Sequence, residues 1–114
     1  MRMPAAFVLM ALMISRALAD PVGDYKVEGF SPNKSPYSGT VRVEQTGDTY
    51  RVVWNIDGTV YVGTGIGNSD FIAVSYRSGN DTGLALYGQD GTGWKGVWTY
   101  AGARKVGSEA WVRK

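Results

Sequence analysis

Six glycines, Gly47, Gly58, Gly67, Gly79, Gly91 and Gly102, recur at intervals of 9–12 residues. Between them lie short runs of Val, Ile, Tyr, Trp and Thr. Short strands at even spacing, broken by turn residues, are the pattern of an all-β meander, closed into a barrel or folded into a sandwich. No segment beyond the first nineteen residues shows a helical apolar period.

The runs predict eight strands: Asp24–Phe30, Tyr37–Gln45, Thr49–Ile56, Thr59–Ile66, Phe71–Arg77, Gly83–Gly88, Trp94–Tyr100 and Val106–Arg113. Alternation assigns their faces. Tyr50, Val52, Trp54 and Ile56 share one face of the third run, while Arg42, Glu44, Arg51, Asn55 and Lys95 point the other way in theirs. Asp57-Gly58 is a strong two-residue hairpin signal. Connections this short make sequence neighbours pair antiparallel. The expected fold is therefore an eight-stranded antiparallel up-and-down meander barrel, with an open sandwich as the alternative. Such a barrel either fills with side chains or holds one small ligand. A weak repeat places an aromatic two residues before a glycine at Tyr37/Gly39, Tyr61/Gly63 and Trp94/Gly96. It predicts that each ring lies over the glycine that follows it on its own strand.

The N-terminus reads differently. Met1 to Pro4 carries one positive charge, Ala5 to Ser15 is apolar, and Ala17-Leu18-Ala19 is an A-x-A cleavage site. These are the parts of a secretory signal peptide over 1–19, leaving residues 20–114 as one barrel domain that is exported, periplasmic or secreted. The apolar run is too short to span a bilayer, and no span is expected in the mature chain. The whole chain has 12 Lys and Arg against 10 Asp and Glu, and Arg2 and Arg16 lie in the leader. The domain is then formally neutral, which argues against nucleic acid as a partner. There is no Cys to staple the fold, so side-chain packing must stabilise it alone.

With neither His nor Cys, the usual triads, thiol nucleophiles and zinc ligand sets are absent. Asp48, Asp57, Asp70, Asp81 and Asp90 fall in or beside turns, where Asp caps backbone groups. Gly63-x-Gly65-x-Gly67 lies between strands and is no nucleotide fingerprint. The reading is a non-catalytic binding module with no cofactor. Two sets of residues are candidates for the binding. Trp54, Trp94, Trp98 and Trp111 have inward phase, and Glu109 is in phase with Trp111 and Gly107. Glu109 is then a structural ion pair or hydrogen-bond partner, a polar contact for a ligand, or an outward residue. Together these five form the interior set, for a small apolar ligand in a void of roughly 300 Å³ or more. The second set, Lys34, Arg104 and Lys105, lies in the predicted loops Ser31–Pro36 and Ala101–Lys105 and would meet a protein partner.

Three segments, Tyr37–Trp54, Tyr61–Tyr76 and Leu84–Trp111, with their spacing of glycines and aromatics, resemble a group of small exported alphaproteobacterial proteins often labelled "fibronectin-binding protein". That resemblance implies a module engaging a host or envelope protein such as an extracellular matrix protein. The strand number is also similar to the avidin and lipocalin barrels, a likeness of architecture that implies no particular ligand.

Overall fold

The computed structural model describes residues 20–114, and the expected leader lies outside the described residues. Eight strands follow in order: β1 (Gly23–Phe30), β2 (Pro36–Thr46), β3 (Thr49–Ile56), β4 (Thr59–Gly67), β5 (Phe71–Ser78), β6 (Asp81–Asp90), β7 (Gly93–Tyr100) and β8 (Gly107–Arg113). Each pairs antiparallel with its neighbour, and β1 pairs with β8, so the sheet closes into a barrel. Closure removes every unpaired edge.

Turn chemistry explains the tightness of the meander. Asp57 and Gly58 both have positive φ, 53° and 81°, the pattern of a type I′ hairpin turn. Gly47, Gly79 and Gly91 each occupy the first central position of a two-residue turn with φ near 60°, as a type II′ turn demands. β6 is therefore longer than predicted. Gly79-Asn80 and Gly91-Thr92 suffice as turns, and Asp81–Thr82 and Gln89–Asp90 join the ladder. Gly67 differs from the other five regularly spaced glycines. It ends β4 in extended conformation, and Asn68 makes the turn by accepting the Asp70 N–H at 2.8 Å.

Inward residues build the core: Tyr25, Val27, Val41, Val43, Val52, Ile72, Tyr87, Trp94 and Trp111 are nearly or fully buried. Glycines share the inner face with them. Tyr37 lies directly across from Gly29, Tyr76 from Gly83, Tyr87 from Gly96 and Trp98 from Gly107. A β-carbon on any of these glycines would collide with the ring opposite. The predicted same-strand covering is thus corrected: the rings reach across to the neighbouring strand, where the missing side chain makes room for them. Tyr100, in phase with Trp94 and Trp98, ends β7 at the rim and is 48% exposed.

The up-and-down path sends the β1–β2, β3–β4, β5–β6 and β7–β8 connections to one end, here called the mouth. Both ends of the described chain lie at the other. There Pro21 is buried, its carbonyl accepts the Tyr25 hydroxyl at 2.7 Å, and the Arg113 guanidinium sits 4.9 Å over the Tyr25 ring. Arg113 also donates to the carbonyls of Thr92 at 2.9 Å, Val22 at 3.1 Å and Asp20. The segment before β1 therefore plugs the base. No helix among the described residues is long and apolar enough to cross a membrane.

Candidate functional site

A single carboxylate organises the interior. Glu109, on β8, is 8% exposed. Its Oε1 accepts the indole N–H of Trp54 at 2.8 Å, the hydroxyl of Tyr87 at 2.8 Å and the indole N–H of Trp111 at 2.7 Å. Its Oε2 accepts the Tyr37 hydroxyl at 2.5 Å. These donors come from β2, β3, β6 and β8, so one side chain ties together strands on opposite sides of the barrel. The group is acceptor-only when ionised, and all four neighbours are donors. Charge-assisted bonds of this kind are about twice as strong as neutral ones.

Glu109 also marks a boundary. Below it, towards the plugged base, Trp111 packs against Tyr87 at 4.2 Å between ring centroids and against Tyr25 at 5.4 Å. Above it, towards the mouth, the barrel is hollow. A cavity of about 180 Å³ is lined by Ser31, Tyr37, Trp54, Ile56, Tyr61, Tyr76, Tyr87, Trp98 and Glu109. Tyr37, Ile56, Tyr61, Tyr76 and Trp98 keep part of their surface exposed, so the cavity opens at the mouth. Its rings meet edge to face: Tyr37–Trp98 at 6.0 Å, Trp54–Tyr76 at 5.8 Å and Tyr61–Tyr76 at 6.1 Å.

The electrostatics follow from burial around a negative charge. The Tyr37 and Tyr87 hydroxyls are pushed far above the ordinary phenol range, first by burial and then by the charge of Glu109 and the hydrogen bond to it. Tyr76, whose hydroxyl donates to the Thr99 carbonyl at 2.9 Å, is pushed up to about 12 by burial and then by Glu109. All three stay neutral donors at physiological pH. The Trp98 indole nitrogen lies close enough to the Tyr37 hydroxyl to act on its ionisation. It nevertheless makes no hydrogen bond of good geometry and is a buried donor without an acceptor.

The structure divides the expected interior set. Trp54, Trp98 and Glu109 line the cavity. Trp94 and Trp111, each 1% exposed, lie in the packed half, where Trp111 supports Glu109 from beneath. Sequence reasoning did not single out Tyr37, Tyr61, Tyr76 and Tyr87 as wall residues. Alternation held the signal: Tyr76 is in phase with Val74 and Ile72, and Tyr87 with Ala85 and Gly83. Lys34, Arg104 and Lys105 are exposed on the β1–β2 and β7–β8 loops. Both loops are at the mouth, so the two candidate sets meet at one end of the barrel. Lys34 holds a left-handed φ of 70° while its N–H donates to the Ser31 carbonyl at 2.7 Å. No group of His, Cys, Asp and Glu able to hold a metal ion occurs among the described residues.

No family model matches the sequence, and no curated protein matches it. Among solved structures the chain is similar to a redesigned β barrel, mFAP1, bound to DFHBI. The superposition has a TM-score of 0.70 at 15% identity and covers 84% of this chain and 98% of that one, a likeness of fold.

Proposed function

We propose that this chain is a non-catalytic binding barrel that holds a small molecule in the aromatic cavity at its mouth. The observation that carries this reading is the hollow itself. A barrel this small has enough large side chains to fill its interior, yet it packs one half and leaves about 180 Å³ in the other. An engineered cavity of about 150 Å³ already takes benzene. The ligand is therefore compact, smaller than the roughly 300 Å³ expected of a drug-sized site. The similar redesigned barrel is bound to DFHBI, which supports a binding role for the shared fold. Trp54 and Trp98 line the cavity, so a compact ligand should change tryptophan emission saturably. A panel of compact aromatic and aliphatic compounds that leaves emission and melting temperature unaltered would contradict the proposal.

Export is part of the same reading. Pro21 is buried and Asp20 is held by Arg113, so a cut after Ala19 would leave the basal plug intact. A secreted or periplasmic product whose N-terminal sequence begins at Asp20 is the expected result.

A second reading has its own observation. The outer wall of β4–β7 is apolar: Ile66 is 61% exposed, Leu84 63%, Leu86 52% and Val97 45%. Arg42, Glu44 and Arg51 instead cover the wall of β2 and β3 with ion pairs. An exposed apolar patch is the usual mark of a protein interface. Engagement of a matrix protein such as fibronectin would run through this wall or the basic mouth loops. Immobilised fibronectin should then bind the wild type, and a Leu84→Lys, Leu86→Lys variant should lose that binding.

A further inference from the structure

We infer that the ligand of the mouth cavity is a small organic cation of the methylated-ammonium type. This rests on the cavity being a binding site and adds the charge of what it binds. Glu109 is the charged group of the cavity lining. No Lys or Arg among the described residues forms an ion pair with it; the ion pairs present join Arg42, Arg51 and Lys95 to Asp24, Glu44 and Asp90 on the outer wall. The negative charge is stabilised by neutral donors, and no cation among the described residues pairs with it.

The acceptors are also used unevenly. Oε1 takes three donors, whereas Oε2 takes Tyr37 alone. The charge on Oε2 is therefore less neutralised by donors than that on Oε1, and it sits on a residue that borders the cavity. The walls have the same polarity. The rings of Tyr37, Trp54, Tyr61, Tyr76, Tyr87 and Trp98 line the space, and aromatic faces carry the negative part of the ring quadrupole. Boxes of such rings are the known solution for quaternary and methylated ammonium groups. Here a carboxylate forms the floor of the box.

Size agrees with charge. A trimethylammonium group is about as bulky as benzene, which a cavity of about 150 Å³ accepts, and this cavity offers about 180 Å³. Methylated ammonium also has no strong donors of its own, so it does not compete with Tyr37, Trp54, Tyr87 and Trp111 for the carboxylate. Lys34, Arg104 and Lys105 at the mouth are exposed. Salt and water screen them within about 8–10 Å, whereas the buried carboxylate is screened much less.

The test is a matched series on the wild-type protein, read by tryptophan emission and calorimetry up to millimolar concentration. Choline is compared with dimethylbutanol, its neutral isostere with carbon in place of nitrogen, and with pivalate, a compact anion. Choline should bind at least about tenfold more tightly than the isostere, with pivalate weakest. Glu109→Gln should shrink the choline-to-isostere affinity ratio at least about threefold. Should that variant fail to fold, Tyr61→Leu at the rim serves instead and should weaken choline more than the isostere. Equal or tighter binding of the isostere or of pivalate would overturn the cationic ligand while leaving the cavity a binding site. Absence of binding by all three would overturn both.

Discussion

The two ends of this barrel are made from the same materials and finished differently. At the base, Tyr25, Trp94 and Trp111 are packed to 1% exposure or less, Pro21 seals them, and Arg113 clamps the segment that supplies the plug. At the mouth, Tyr37, Tyr61, Tyr76 and Trp98 are also aromatic and also inward, yet they enclose space. Aromatic content therefore does not decide whether a small barrel is full. What decides it is whether chain from outside the strands folds back over the end. At the base the segment before β1 does so; at the mouth Ser31 of the β1–β2 loop is the one loop residue that joins the cavity lining. Glu109 stands between the halves and belongs to both, through Trp111 below and Tyr37 above.

Breaking that boundary should have the largest effect. Glu109→Leu leaves four donors without an acceptor, each costing about 1–3 kcal/mol when buried. The sum, about 5 kcal/mol or more, is a large part of the stability of a small domain, so little folded protein should remain by circular dichroism. Gly107→Ala acts on the mouth alone. A β-carbon there meets the Trp98 ring and the Phe30 carbonyl, and overpacking should cost about 2–3 kcal/mol in urea unfolding, with Trp98 displaced into the cavity. Arg113→Ala is the counterpart at the base. It removes the clamp on residues 20–22 and should cost about 1–2 kcal/mol. Hydrogen exchange should then rise at the base while ligand binding at the mouth persists.

Alkaline pH is a gentler probe of the mouth. The phenol of Tyr76 has its folded pKa raised from 10 to about 12. The unfolded chain therefore loses that proton first. The associated stability is complete below pH 10 and is lost as pH rises from about 10 to about 12. Allowing for solvent screening of a half-exposed ring, the loss is about 1 kcal/mol. Tyr76→Phe should flatten this limb of the stability–pH curve. Smallest is Lys34→Gly, which relieves a left-handed backbone at the rim and should stabilise by up to about 1 kcal/mol. The substitution changes the mouth loop and leaves the cavity lining in place.

The architecture was readable because turn residues and alternation are local signals. Asp57-Gly58 announces its turn, and Val41 and Val43 announce their face. The extent of β6 was not readable, since a two-residue turn at Gly79 or Gly91 and a longer loop share one composition. Glu109 was marked by phase alone, but its four donors lie up to 72 residues away and meet only when the barrel closes. The division of the tryptophans was hidden for the same kind of reason. Trp94 and Trp98 share one face of one strand, and only their height along the axis, fixed by β1–β8 closure and the plug, puts one in the core and the other on the cavity wall.

The four tryptophans offer the most direct test. Their indole N–H resonances in a proton–nitrogen correlation spectrum report both ends at once during a choline titration. Saturable shifts are expected for Trp54 and Trp98, a smaller one for Trp111 through Glu109, and none for Trp94. Shifts centred on Trp94, or no shift at any indole up to millimolar choline, would contradict binding at the mouth.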